Sequence, residues 1–301
     1  MPPPTGRRYK FFDPRTVARL KNLSMVAKGI VEGFLTGLHR SPFHGFSVEF
    51  SGHREYAPGD DLKFLDWKVY GRTDRYYIKQ FVQETNVRTH ILLDMSASMN
   101  FGSSGVTKLE YASYLAAALT QLLVSQQDAV GLVTFDNRVQ KYIPPKSTPS
   151  HVRRILHALE EIEPSQDTSV APVLHHIAET IHRSGLIILI TDLYDDFDQI
   201  ISGLEHLRHY YHSLIVMHVM DENELTFPYE SVAEFVDLED RSRVQVNPLL
   251  VRERYLELLQ AFLDKCRKDL LQHDMEYLLM NTATPYDKVL ARYLAARRKM
   301  S

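Results

Sequence analysis

From Val87 onward, short apolar segments alternate with longer segments that have helical periodicity. The apolar segments lie at residues 90–93, 129–135, 186–190, 214–219 and 275–279. Most of them are apolar at successive positions rather than at every second one, which is typical of strands buried on both faces of a parallel sheet. Helices that connect such strands make right-handed crossovers. The pattern therefore predicts an α/β protein with a doubly wound, mainly parallel sheet.

Residues 1–86 follow a different pattern, and we predict that they form an N-terminal α+β extension to a main domain of residues 87–301. Asp13 and Pro14 are typical of a helix start, as the cap and the first helical residue. Apolar residues then recur at helical spacing. Two short strand-like segments follow at residues 46–50 and 76–82.

The composition excludes several classes of protein. The chain has 301 residues, of which 44% are hydrophobic, and its net charge of −3 gives no sign of nucleic-acid binding. The single cysteine, Cys266, excludes a disulfide framework and is expected in the core. No apolar run approaches the roughly 18 residues of a membrane span, and the first residues lack a signal core. We expect a cytoplasmic protein without a membrane span.

Asp94, Ser96 and Ser98 follow the first buried strand of the main domain. Alternate residues of an extended backbone point to the same side, so one carboxylate and two hydroxyls can converge on one small cation. Oxygen donors of this kind suit Mg²⁺, with Mn²⁺ or Ca²⁺ as alternatives, and suit zinc poorly. Because the hydroxyls bring no charge, the ion would stay strongly electropositive.

Two later segments provide further oxygen donors. Thr168 lies in the loop that precedes the predicted helix of residues 170–181, and Asp192 follows the apolar strand of residues 186–190. In doubly wound sheets, ligands bind outside the carboxyl ends of the strands, where these loops can meet. The simpler interpretation is that these residues only cap helices and brace loops, since Asp, Ser and Thr are common there.

The five residues resemble the metal-ion-dependent adhesion site of von Willebrand factor type A domains. That pattern is Asp-x-Ser-x-Ser, a Thr in a second loop and an Asp in a third. The resemblance implies metal ligation by Asp94, Ser96, Ser98, Thr168 and Asp192. It also implies that an Asp or Glu of a partner protein completes the coordination. Asp167 stands where small residues are common, and its charge would tighten cation binding but weaken the attraction for a partner's carboxylate.

A second set of motifs lies in the N-terminal extension. It comprises Arg54-Glu55-Tyr56, Pro58-Gly59-Asp60-Asp61, Asp66-Trp67-Lys68 and Gly71-Arg72-Thr73. Together with the metal motif, it resembles the family called domain of unknown function 58, whose members are commonly encoded near MoxR-type AAA+ ATPases. The resemblance implies an accessory or adaptor to such an ATPase in protein assembly or activation.

We expect no enzymatic activity. The chain has no Gly-rich P-loop followed by Lys and no Gly-x-Ser-x-Gly nucleophile elbow. Ser96 stands where an aspartyl phosphotransferase needs its second carboxylate. The alternative function is a metal-dependent hydrolase that acts on phosphate or peptide substrates. Its general base would have to be Asp167 or Asp195.

Overall fold

A computed structural model describes residues 12–20, 22–38, 50–56, 66–73, 75–81, 87–164, 170–210, 212–238 and 241–300. The helices are α1 (Pro14–Ala18), α2 (Leu23–Leu38), α3 (Trp67–Thr73), α4 (Lys108–Ser125), α5 (Pro149–Glu160), α6 (Val170–Thr180), α7 (Phe197–His209), α8 (Glu222–Thr226), α9 (Pro248–Gln272) and α10 (Tyr286–Met300). The strands are β1 (Phe50–Glu55), β2 (Tyr77–Phe81), β3 (Arg88–Asp94), β4 (Ala129–Phe135), β5 (Val139–Lys146), β6 (Leu186–Thr191), β7 (Ser213–Met220), β8 (Ala233–Val236), β9 (Arg243–Val246) and β10 (Glu276–Asn281).

Six strands form the central sheet in the order β10-β7-β6-β3-β4-β5. All neighbours are parallel except β5, which runs antiparallel to β4 at one edge. The predicted α/β fold with a doubly wound, mainly parallel sheet is therefore confirmed. The strand β5 was not predicted, because only Ile143 is buried in it and Pro144 and Pro145 interrupt its apolar character.

The strand order reverses between β3 and β6, which lie side by side. From β3 the chain continues to β4 and β5 on one side, whereas β6 continues to β7 and β10 on the other. Leu93 of β3 pairs with Ile190 of β6, so the carboxyl ends of the two strands are adjacent. A crevice at such a switch point is the usual ligand site of doubly wound sheets.

Helix α4 is buried along nearly its whole length. Leu115, Leu119 and Leu122 are fully buried, as are the central residues of β3 and β6. A capping box starts the helix, since the Thr107 side chain accepts from the N–H of Glu110 and the Glu110 carboxylate accepts from the N–H of Thr107. The cap fixes the position at which the helix begins, directly before Lys108.

The chain divides into two compact units. Met1–Phe34 and Val87–Ser301 form the larger unit, and Leu35–Asn86 form the smaller. Residues 1–86 were predicted to form one N-terminal extension, whereas the first 34 of them belong to the larger unit. The apolar residues Val26 and Ile30 of α2 are fully buried, as expected of residues that belong to a core.

In the smaller unit, β1 and β2 form an antiparallel pair. Asp66 is buried and accepts a hydrogen bond from the N–H of Val69 at 3.3 Å, which caps the start of α3. Trp67 is 64% exposed. Residues 46–49 and 58–61, on which a strand and part of the N-terminal motif were predicted, lie outside the described residues.

Between β7 and α9, the chain forms the short helix α8 and the antiparallel hairpin of β8 and β9. Helix α8 was not predicted, because five residues are too few to show a periodicity. No helix in the described part of the chain combines the length and apolar character that crossing a membrane requires.

Candidate functional site

Asp94 is the last residue of β3, and its carboxylate is fully buried at the switch point. One carboxylate oxygen accepts a hydrogen bond from the N–H of Ser96 at 2.9 Å. The other accepts from the hydroxyl of Thr191, at the end of β6, at 2.6 Å. These two bonds fix the orientation of the carboxylate and join the ends of the two strands.

The hydroxyls of Ser96 and Ser98 lie beside Asp94. Their Oγ atoms are 3.1 Å apart, and both residues are buried. A backbone hydrogen bond from Met95 to the carbonyl of Phe135, at 2.9 Å, holds the loop against the end of β4. A 3₁₀ turn over Ala97–Asn100 follows. The alternation predicted for Asp94, Ser96 and Ser98 therefore gives two neighbouring hydroxyls in a braced loop.

Asp192 reaches the same place from the end of β6. One of its oxygens accepts from the N–H of Tyr194 at 3.2 Å. Its carboxylate accepts a hydrogen bond from the Ser98 side chain, and its charge raises the pKa of Asp94. The structure thus brings together Asp94, Ser96, Ser98 and Asp192. Thr168, the fifth predicted ligand, and Asp167 lie outside the described residues.

Lys108, which was not predicted as a site residue, lies against two carboxylates. Its Nζ lies 2.8 Å from a carboxylate oxygen of Asp192 and 2.8 Å from one of Glu224, in α8. The Lys108 side chain is only 3% exposed. The signal in the sequence is its position, because a lysine in the first turn of a helix opposes the helix dipole and needs a compensating partner.

Burial and charge shift the pKa values of this cluster in opposite directions. Burial and the neighbouring charge of Asp192 raise the pKa of Asp94 to about 7. Burial alone would also raise the pKa of Asp192, but the charge and hydrogen bond of Lys108 outweigh it and lower that pKa. Burial raises the pKa of Glu224, although Lys108 opposes this shift. Asp94 is therefore the carboxylate whose charge the surrounding protein compensates least.

The residues fit a hard cation. Lys108 pairs with Asp192 and Glu224, whereas the charge of Asp192 acts on the buried carboxylate of Asp94. A divalent ion beside Asp94 would relieve the repulsion between two buried carboxylates. Across the described ranges, no group of three or more His, Cys, Asp and Glu side chains could hold a metal ion. A metal centre in this part of the protein would therefore depend on hydroxyl ligands.

Asp195, a candidate general base, is placed by hydrogen bonds to the backbone. One of its oxygens accepts from the N–H of Val170 at 2.9 Å, and the other accepts from the N–H of Asp196 at 2.7 Å. The first bond satisfies a free N–H at the start of α6. Asp195 therefore has a structural role that ties the start of α6 to the loop after β6.

Comparisons with known proteins give a family and several distant relatives. Uncharacterized protein Mb1516 of Mycobacterium bovis and uncharacterized protein Rv1480 of Mycobacterium tuberculosis are each 26% identical over 232 residues, which cover 75% of this chain and 72% of theirs. Among solved structures, the conserved hypothetical protein BatB from Bacteroides thetaiotaomicron matches with 18% identity and a TM-score of 0.47, over 71% of this chain and 99% of BatB. The SpRpn10 VWA domain matches with 8% identity and a TM-score of 0.39, over 69% of this chain and 95% of that domain.

The family model described as "Protein of unknown function DUF58" matches residues 52–261. The match includes the whole N-terminal motif set, from Arg54 to Thr73, and runs through the strand ends that carry Asp94 and Asp192. It covers more than half of the chain. The protein therefore belongs to the DUF58 family, as its two sets of motifs predicted.

Proposed function

We propose that this protein is a metal-dependent protein-interaction module. The observation that carries the proposal is the convergence of Asp94, Ser96, Ser98 and Asp192 at the switch point of the sheet. These residues would hold Mg²⁺, or Mn²⁺ or Ca²⁺, together with Thr168, which the family pattern adds. When bound, the ion supplies a positive charge that attracts a carboxylate oxygen of a partner protein.

Lys108 supports capture of an anionic partner rather than simple cation storage. By pairing with Asp192 it offsets one of the two negative charges that lie next to the proposed ion. Ser96 and Ser98 add ligand oxygens without adding charge. An ion held in this way keeps more of its positive charge for a partner than one surrounded by unpaired carboxylates.

The proposed partner is a MoxR-type AAA+ ATPase or its client protein, which would present an acidic side chain. This part of the proposal rests on the resemblance of the two motif sets to proteins encoded near such ATPases. The protein would then act as an accessory or adaptor in the assembly or activation of other proteins.

The alternative function, a metal-dependent hydrolase, has less support. A hydrolase needs a general base that is free to take a proton from water. Both oxygens of Asp195 accept hydrogen bonds from backbone N–H groups, of Val170 and of Asp196. Both oxygens of this candidate base are therefore already engaged by the backbone.

A capture assay tests the proposal. The full chain is immobilised and incubated with a purified MoxR-type ATPase from the same genome, in Mg²⁺ and then in chelator. We expect binding to fall at least about tenfold in chelator and in Asp94→Ala. The matched control is Asp198→Ala, which removes an exposed carboxylate that pairs with Lys265 on the surface.

Unchanged binding in chelator and in Asp94→Ala would refute the adhesion mechanism. Thermal melting of Asp94→Ala and Asp198→Ala checks that both variants are folded. Steady release of phosphate or peptide product by the purified protein, lost in Asp167→Asn, would instead support the hydrolase.

A further inference from the structure

A cavity of about 380 Å³ lies beside the proposed metal site. Its lining includes Ser98, a proposed ligand, and Lys108 with its ion-pair partner Glu224. The other side chains that line it are mainly apolar. Those with aromatic rings are Phe101, Tyr194, Phe227, Tyr229, Phe235 and Tyr255. A concave, largely apolar space with a few polar groups at one part is typical of a binding pocket.

The aromatic side chains of this cavity form a packed wall. Phe227 stacks on Phe235 with ring centroids 5.7 Å apart, and Tyr229 meets Phe235 edge-on at 5.4 Å. Tyr255 packs on Phe227 at 4.5 Å, and its hydroxyl donates to the carbonyl of Glu224 at 2.8 Å. The wall is therefore held by contacts among its own rings and is tied to the ion pair of Lys108.

The backbone of Phe227 confirms that the wall is held in place. Phe227 ends α8 with φ +46°, a left-handed conformation that costs a residue with a bulky side chain roughly 1 kcal/mol or more. The contacts with Phe235, Tyr229 and Tyr255 compensate for this cost. The ring of Phe227 therefore packs on Phe235 and Tyr255 at the point where α8 ends.

Apolar side chains also remain exposed on the hairpin that lines the cavity. Val236 of β8 is 39% exposed and Val244 of β9 is 58% exposed. Both line the cavity. Exposed apolar residues next to a preformed apolar cavity are typical of a surface that a partner covers.

We propose that this cavity receives a large apolar side chain from the same partner segment whose carboxylate binds at the metal site. The partner is then recognised as an acidic residue close in sequence to an aromatic residue or a leucine. This inference rests on the proposed function. The cavity is continuous with the proposed metal site, since Ser98 belongs to both. The two parts also suit two kinds of side chain, because the cation would attract the carboxylate and the aromatic wall would accept the apolar side chain.

The test uses peptides displayed on phage. A random peptide library is selected on the full chain in Mg²⁺, and the selected peptides are synthesised with a fluorescent label. We expect them to be enriched in an Asp or Glu near a Phe, Trp or Leu. Replacing the apolar residue of the peptide by alanine should weaken binding by about 10- to 100-fold, because the side chain leaves a buried site.

Two variants of the protein give a matched comparison. Val244→Asp places a charge in the lining of the cavity, whereas Val232→Asp changes a valine that is also 58% exposed but does not line it. We expect Val244→Asp to weaken peptide binding about tenfold or more and Val232→Asp to leave it unchanged.

The outcomes separate this inference from the proposed function. If binding needs Mg²⁺ and the acidic residue but ignores the apolar residue and Val244→Asp, the cavity proposal is overturned while the adhesion site stands. If binding needs the apolar residue but neither Mg²⁺ nor the acidic residue, the proposed function is overturned, and with it the idea of one segment that spans both sites.

Discussion

Replacing Lys108 by methionine tests how the charges of the site are balanced. The substitution keeps the length and apolar stem of the side chain and removes only the ammonium group. Asp192 then loses a partner at 2.8 Å while its side chain is 4% exposed. Glu224 loses a partner at the same distance but is 23% exposed, so that water can solvate it in part.

The expected cost follows from this burial. Removing one partner of a buried ion pair costs about 3–5 kcal/mol, since the other charge stays buried and unpaired. Because Glu224 is partly solvated, we expect a loss near the lower end, about 3 kcal/mol of the free energy of unfolding. Mg²⁺ should restore part of this loss, and the variant should bind Mg²⁺ at least about tenfold more tightly, because Asp192 no longer has a competing cation.

The assay is urea unfolding of the full chain, in chelator and over a series of Mg²⁺ concentrations. Lys265→Met is the matched control. It removes a lysine whose Nζ lies 2.6 Å from Asp198, but both side chains are largely exposed. An exposed pair contributes less than about 1 kcal/mol, so this variant should melt like the wild type. A Lys108→Met variant as stable as Lys265→Met, or with unchanged Mg²⁺ affinity, would show that Lys108 does not balance the charge of Asp192.

Three further predictions follow from the site and the core. Asp94→Asn should raise the free energy of unfolding in chelator by about 1 kcal/mol or more, because it removes one of two buried carboxylates that repel each other. Titration calorimetry should show that the same variant no longer binds Mg²⁺. Burial lowers the pKa of His90 to about 4 from its ordinary 6.5. As the pH drops from 6.5 to 4, the unfolded chain binds a proton at His90 before the folded chain does, so the free energy of unfolding should fall. Urea melts at both pH values should show that this fall is smaller by up to about 3 kcal/mol in His90→Leu. Gly102→Ala should cost about 2 kcal/mol or more in thermal melts, since the new methyl group overlaps the backbone of Val106, whereas Gly105→Ala, at φ +82° with open space around it, should cost only about 1 kcal/mol.

The sheet could be predicted from the sequence because its strands are buried on both faces. Residues 186–190 of β6, for example, are all apolar, because a strand buried on both faces selects apolar side chains at successive positions. The edge strand Val139–Lys146 has no such pattern, since one face meets solvent and two prolines lie within it. Its place in the sheet depends on backbone pairing with β4 in an antiparallel hairpin, and this pairing leaves no regular pattern in the side chains.

The position of Asp94, Ser96 and Ser98 at the end of a buried strand could be predicted because their spacing is local and the strand is strongly apolar. Lys108 and Glu224 could not be paired from the sequence, because they are 116 residues apart and each lies in a segment with an ordinary helix start. The aromatic wall of the cavity shows the same limit. Phe227 and Phe235 belong to an irregular region, and only the fold shows that they stack beside Ser98.

The most direct test of the metal site is a crystal structure of the full chain grown with Mn²⁺ and measured for anomalous scattering. We expect one strong peak within ligand distance of the hydroxyls of Ser96 and Ser98, with Asp94 and Asp192 beside it. A well-ordered site with no peak there, in which Asp94 is held by Ser96 and Thr191 alone, would show that these residues do not form a metal site.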